Sequence, residues 1–343
     1  MVDAICKELH LRQAYFEHQQ IETIYFGGGT PSLVPAAFLR IILDNIYHCF
    51  QVADTAEITL EANPDDIHPQ ALVSWRAMGV NRLSVGIQSF DQDELSWMNR
   101  AHSASQAQDC IPLIKQSGFT NFSIDLIYGS PLLSDEQLSK NIAIAVDHQV
   151  PHIAAYALTV EPQTALAHFV EKGKSAATDP EKQVRQSNIL MQQLEDAGYE
   201  HYEISNFAKP GFRSQHNSSY WMGKHYLGLG PGAHSFNGYS RQWNISNNNL
   251  YVQSIERGDI PAEVEMLTAT QQLNEYIMTS LRTAEGLSLQ KAGTWGEHQT
   301  ARIMRMAEPF IKDGRIIHQS DVLILSSSGK SWADGIAAAL FED

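Results

Sequence analysis

The chain has 343 residues, of which 43% are hydrophobic and 18% charged, enough for a sizeable core and more than one structural unit. Its formal charge of −15 argues against broad binding to nucleic acid or to an anionic membrane. No apolar run approaches the roughly 18 residues of a membrane helix, and the opening MVDAICKELHLRQ carries charges where a signal peptide has its apolar centre, so the expected location is the cytoplasm.

A lone helix is predicted over about Val2–Gln19. Ile21, Ile24, Tyr25 and Phe26 then suit a buried strand, which runs straight into Gly27, Gly28 and Gly29. Three glycines cost backbone entropy, and their use is close approach: a ligand can touch the main chain. Pro35 opens a helix that runs to Phe50. Residues 56–64 read as a strand ended by Asn-Pro, and 68–79 as a helix ended by Gly79. Residues 80–90 read as a strand, with a helix from about Asp91. A helix over 103–118, a strand over 119–131, the helix Ser134–Val146 and a strand over 151–162 follow. Five successive β-then-α units predict parallel strands covered by helices. Polar residues close almost every strand at its C-terminal end, where barrels bind ligands, so a barrel or partial barrel fits better than an open sheet. The orphan first helix implies a strand before it, with the chain beginning inside a β/α unit.

The pattern then changes. Residues 179–211 give a long helix and a strand, and 216–238 are rich in glycine and aromatics. From Ala262 a smaller unit reads helix, helix, strand, turn, strand, helix, a winged-helix-like order. Its acidic surroundings favour a packing role over nucleic-acid contact. The expected domains are 1–240 and 262–343.

Polar residues at the strand ends form a candidate site. Gly28, Gly29 and Thr30 follow the first strand, Glu61 the second and Gln88 the third; Arg100 lies beyond, and Asp125 sits late in the fourth. Parallel strands would gather these groups on one face. Glu61 and Asp125 could accept from a sugar or an ammonium, Arg100 could fork a carboxylate, and Gln88 could hold an amide or base edge. That set suits a zwitterionic, sugar-bearing ligand. Taken singly, Glu61 could cap the next helix and Arg100 could be a solvated cation. Asp125 inside FSIDLI differs, because a carboxylate within a strand is costly unless paired or functional. The glycine triplet matches no nucleotide-phosphate fingerprint. Cys6, Cys49 and Cys110 are far apart, lack metal-site spacing and read as small buried hydrophobes. No nucleophile–base pair is visible in the sequence.

Seven segments occur in order: GGGTPS, EANPDD, NRLSVGIQSF, DLIYGSP, YALTVEPQT, YEISNFAKPG and HNSSYW…GLGPGAHS. Together they resemble the radical SAM proteins related to oxygen-independent coproporphyrinogen III oxidase, and within them the HemW haem-chaperone branch, chiefly between Ile21 and Phe236. The resemblance implies a partial (β/α) radical SAM barrel lacking its first strand, with a small winged-helix-like C-terminal domain. It implies S-adenosyl-L-methionine contacts at Gly28, Gly29, Thr30, Glu61, Gln88, Arg100 and Asp125. It also implies a 4Fe–4S cluster held by CxxxCxxC, whose open iron takes the ligand's amino and carboxylate groups. That motif is expected before Met1 and does not occur in this sequence. HNSSYW matches the HNxxYW signature of the HemW branch, which the oxidases lack. It implies His216 as an axial haem ligand, with aromatics stacking nearby and Tyr220 on the same helical face. The implied function is binding haem and delivering it to acceptor proteins, with membrane association only through an acceptor. The alternative is a SAM-cleaving oxidase that decarboxylates coproporphyrinogen III.

Overall fold

The computed structural model describes residues 1–16, 19–162, 164–173 and 175–342. α1 (Val2–Leu11) and a 3-10 turn over Gln13–Phe16 precede β1 (Ile21–Phe26). The expected first helix therefore ends early, and its Glu17–His18 stretch lies outside the described residues. The repeats follow as α2 (Ala36–Cys49), β2 (Val52–Ala62), α3 (Pro69–Ala77), β3 (Arg82–Gln88), α4 (Gln92–Trp97), α5 (Ala104–Gln116), β4 (Asn121–Tyr128), α6 (Asp135–Asp147) and β5 (His152–Ala157). Local signals set these boundaries. Ser103 with Gln106, and Ser134 with Gln137, form reciprocal capping boxes at the starts of α5 and α6. Next come α7 (Ala165–Glu171), α8 (Pro180–Asp196), β6 (Glu200–Glu203) and β7 (Asn206–Ala208). The single strand expected after the long helix is thus two short antiparallel strands.

The remainder comprises α9 (Gln215–Trp221), β8 (His234–Phe236), β9 (Ser240–Asn244), α10 (Asn248–Arg257), β10 (Ala262–Met266), α11 (Ala269–Leu281) and β11 (Leu287–Ser288). It closes with α12 (Leu289–Ala292), α13 (Gln299–Lys312), β12 (Ile316–Gln319), β13 (Val322–Leu325), α14 (Ser327–Lys330) and α15 (Ala333–Ala339).

The chain forms two compact units: residues 1–29, 33–58 and 214–343 make one, and 30–32 with 59–213 make the other. In the second unit, β2 from Thr59 onward, β3, β4 and β5 pair in parallel, and β7 and β6 extend the sheet antiparallel. Leu60, Leu83, Val85, Ile87, Ile124, Leu126 and Ile153 are buried along these strands. Burying each such side chain contributes about 1.5–3 kcal/mol. A one-residue slip would turn them all to the other face, so burial fixes the register and with it the line of strand ends.

In the first unit, α2 buries Leu39, Ile42, Leu43 and Ile46 at helical spacing. Ala4 of α1 packs on Tyr251 and Ile255 of α10. β8, β9 and β10 form an antiparallel sheet in which Ala262 pairs with Asn244. β11, β13 and β12 form another, with the β12–β13 hairpin turning at Ser320 and Asp321. α11, α13 and the β12–β13 hairpin follow in the order expected from the sequence, but Ala262, the expected start of the unit, opens strand β10 paired with β9, and β11 adds a third strand beside β13.

Candidate functional site

Within the second unit the strand ends bring Glu61, Gln88, Arg100 and Asp125 together. Gln88 closes β3 with φ +67, a left-handed conformation uncommon outside glycine. The β3–β4 register shifts between Val85 and Gln88, so the strand end bulges and turns this side chain. A Cβ added to Gly86 would lie 3.0 Å from Gln88 Nε2 and 3.3 Å from Arg100 Nη2, so both side chains lie over that glycine. Arg100 Nη2 donates to Asn63 Oδ1 at 2.7 Å and to the Gly86 carbonyl at 3.2 Å. Its Nε is buried with no hydrogen-bond partner. The guanidinium is thus fixed through one nitrogen while another donor is unspent.

Asp125 faces this cluster from β4, where it pairs with Ala154 of β5. Burial first, then the Glu61 charge, pushes its carboxyl up to about 7, against the opposing pull of Arg82 and Arg100. Thr30 is half-buried, and beside it Ser32 Oγ donates to Asp66 Oδ2 at 2.6 Å. Asn63 and Gly86 carry no functional signal in the sequence: Asn63 marks a strand-ending Asn-Pro, and Gly86 is one residue of a strand.

Gly28 and Gly29 belong to the first unit, where both are exposed. Gly28 has φ +75, and a Cβ on either glycine would meet no atom within 4 Å. The loop is therefore open over its main chain, as the triplet suggested.

His216 lies in the first turn of α9 in the same unit. Ser214 caps that helix by accepting from Asn217 N–H. The Glu57 carboxylate, buried on β2, accepts from the backbone N–H of Gln215 at 3.1 Å and of His216 at 3.0 Å. The imidazole stacks on Tyr25 of β1 with centroids 4.7 Å apart. Its Nδ1 is 2.8 Å from Thr23 Oγ1 on the part-buried side, and its Nε2 is 3.0 Å from the Tyr220 hydroxyl on the exposed side. Packing and the neighbouring Tyr226 push the Tyr220 hydroxyl up to about 12, so it stays a neutral donor. Tyr226 meets Tyr220 edge-on at 4.7 Å and lies 6.1 Å from Phe236. The Tyr220 contact follows from helical spacing; Thr23, Tyr25 and Glu57 come from elements far away in the sequence.

The described cysteines form no three-thiolate group, although Cys6 and Cys49 are near enough for one to act on the charge of the other. Cys110 is buried in α5, its thiol pushed up to about 12 by burial. Cys6 and Cys49 are half-buried. Among the described residues no group of three His, Cys, Asp or Glu side chains could hold a metal, so this donor set does not fit a three-thiolate cluster. The sequence reading fails at Cys49. Its sulfur is no core hydrophobe but lies beside the His10 imidazole, a nucleophile–base pair that the sequence did not reveal.

Residues 8–143 match the model of the radical SAM superfamily. The solved structure of coproporphyrinogen III oxidase (HemN) from Escherichia coli, a radical SAM enzyme, superposes with a TM-score of 0.84. That match has 21% identity and covers 99% of this chain and 82% of that one. The fold is that of a radical SAM protein, a partial (β/α) barrel with a small C-terminal domain. The haem chaperone HemW of Mycobacterium tuberculosis is 35% identical over 338 residues, 98% of this chain and 85% of its own length. HemW of Bacillus subtilis is 31% identical over 313 residues, 90% of this chain and 83% of its own. This chain belongs to the HemW family.

Proposed function

We propose that the chain is a haem chaperone that takes up haem at His216 and passes it to haem-accepting proteins. The observation that carries this reading is the imidazole's setting. Nδ1 rests on Thr23 and the ring lies flat on Tyr25, while Nε2 points to the exposed side. That is the arrangement of an axial ligand held by a second hydrogen bond. The family name of relatives covering nearly the whole chain supports the same reading. Tyr220, Tyr226 and Phe236 supply aromatic surface beside the exposed nitrogen. Haem is cargo here, and its ligation through Nε2 requires the Tyr220 hydroxyl to turn aside. No described helix is long and apolar enough to cross a membrane. The reading places the chain in the cytoplasm, meeting membranes only through an acceptor.

S-adenosyl-L-methionine belongs to the same proposal, at the strand-end cluster. Arg100, with its unspent Nε, would take the carboxylate. Glu61 and Asp125 would accept from the ammonium or ribose, and Gln88 and Thr30 would bond polar edges. Gly28 and Gly29 run directly into Thr30 along the chain and leave their main chain open.

The test is haem titration followed by absorbance, for the wild type, His216→Ala, and the nearby controls His225→Ala and His234→Ala. The wild type and both controls should give one haem per chain with a histidine-ligated Soret band, and His216→Ala should lose or shift it. Retention of the band by His216→Ala together with its loss in a control overturns the ligand assignment. Absence of haem binding in the folded wild type overturns the chaperone reading.

A further inference from the structure

Cys49 is the last residue of α2, and α1 and the 3-10 turn after it each present a polar side chain to its sulfur. Sγ lies 3.4 Å from His10 Nδ1 and accepts a hydrogen bond from Gln13 Nε2 at 3.3 Å. Gln13 Nε2 is also 3.2 Å from His10 Nδ1, so one amide bridges both. On the other side of the ring, His10 Nε2 is 3.0 Å from Asn45 Oδ1. The Asn45 amide has a settled orientation, because its Nδ2 donates to the Ile41 carbonyl at 2.8 Å, one turn back in α2. Its oxygen therefore faces the imidazole. An amide oxygen only accepts, so His10 carries its proton on Nε2 and turns a lone pair at Nδ1 toward the thiol.

Thiol, base and base-orienting group thus stand in hydrogen-bond sequence, the arrangement that activates a nucleophile. Asn45 and Cys49 are four residues apart on one face of α2; His10 lies in the last turn of α1, and Gln13 opens the 3-10 turn that follows it. His10 and Gln13 are exposed and Cys49 is half-buried, so a small molecule can reach the sulfur. Neither the haem site nor the strand-end cluster uses any of these four residues.

We infer that Cys49 is a base-assisted thiol that exchanges with low-molecular-weight disulfides, making the α1–α2 surface a site of reversible mixed-disulfide modification. The Cys49 proton passes to His10 Nδ1 as the sulfur attacks one sulfur of R–S–S–R. The S–S bond of the reagent breaks, and the departing R–S⁻ takes the proton from the imidazolium and leaves as R–SH. Cys49 ends as Cys49–S–S–R; it is oxidised, and one reagent sulfur is reduced. Gln13 Nε2 donates to the attacking sulfur while negative charge develops on it.

The molecule contains its own references. Cys6 is half-buried, with its thiol pushed up by burial, then by Asp3 and by the neighbouring Cys49; Cys110 is buried and is the more independent reference. The experiment exposes the folded full chain to oxidised glutathione near pH 7, quenches with N-ethylmaleimide and counts adducts at each cysteine by peptide mass spectrometry. In the wild type, Cys49 should react at least about tenfold faster than Cys6, and Cys110 should stay protected. General-base help is worth roughly 100-fold or more in catalytic sites; at an exposed site His10→Gln should slow Cys49 about tenfold and leave Cys6 unchanged. Asn45→Leu should give a smaller loss of the same kind. Equal rates at Cys6 and Cys49 in the wild type overturn the inference without any variant. So does an unchanged Cys49 rate in His10→Gln while Cys110 remains protected.

Discussion

The His216 imidazole lies against the Tyr25 ring with centroids 4.7 Å apart and planes 18° apart. A side chain of β1 thus sets the attitude of the first turn of α9, and Thr23, two residues earlier on the same strand face, holds its Nδ1. β1 supplies both the plane and the anchor of this ring.

Thr23→Val should therefore weaken haem binding about tenfold while the Soret band keeps its histidine-ligated position, since the ligand remains and only its orienting bond is lost. Tyr220→Phe should act in the opposite sense. It removes the hydroxyl that competes for Nε2, and a hydrogen bond worth about 1 kcal/mol corresponds to roughly fivefold tighter binding. Absorbance titration of both variants checks this, and an equal loss in both would show that the two hydroxyls do not play opposed roles.

Gly86→Ala should impair the strand-end cluster. Its methyl would lie 3.0 Å from Gln88 Nε2 and 3.3 Å from Arg100 Nη2, so both side chains must move. Overpacking of this kind costs about 1–3 kcal/mol. Calorimetry should show S-adenosyl-L-methionine binding weakened about tenfold or more, with a lower melting temperature. Unchanged affinity and stability would mean that neither side chain is held where the ligand needs it.

The alternation of strands and helices was legible because each boundary carries a local signal, such as Ser103 and Gln106 at α5 or Pro35 before α2. β2 starts earlier than expected, at Val52, because Asp54 and Thr55 interrupt its apolar pattern although the backbone already pairs. Glu61, Gln88, Arg100 and Asp125 were legible as polar groups at strand ends. Asn63 and Gly86 were not, because their role is contact with Arg100, which the fold delivers from 37 and 14 residues away. The Cys49–His10 pair spans 39 residues and joins two helices, so no spacing rule within one element could announce it.

Asp125 gives a pH signature. Its carboxyl rises from 3.8 to about 7 on folding. Between these values the folded chain holds a proton that the unfolded chain has released, so stability falls as pH rises through this window and levels off above it. Asp125→Asn removes the titration. Melting temperatures at about pH 5 and about pH 8 should show the variant gaining on the wild type at the higher pH. Parallel pH profiles for the two proteins would overturn the assignment.

Glu8 should be the costliest carboxylate to remove from the first unit. It is fully buried. It accepts from Arg12 Nε at 3.0 Å, Gly230 N–H at 2.9 Å, Asn244 Nδ2 at 2.7 Å and the Tyr251 hydroxyl at 2.6 Å. Glu8→Ala strands the Arg12 charge and three donors, a loss of about 3–5 kcal/mol. Glu8→Gln keeps the shape and some acceptor capacity and should cost less. Denaturant unfolding measures both, and an Ala variant within about 1 kcal/mol of wild type would contradict the network's weight.

The Tyr220 hydroxyl, 3.0 Å from His216 Nε2, bears on how a carrier lets go. A ligand nitrogen with no alternative partner in the protein would leave its lone pair to solvent at each delivery. If His216 holds haem as proposed, a phenol is in place to take over the nitrogen as iron departs. Under the proposed function, unloading becomes an exchange of one partner for another, and the empty protein is a satisfied resting state between rounds.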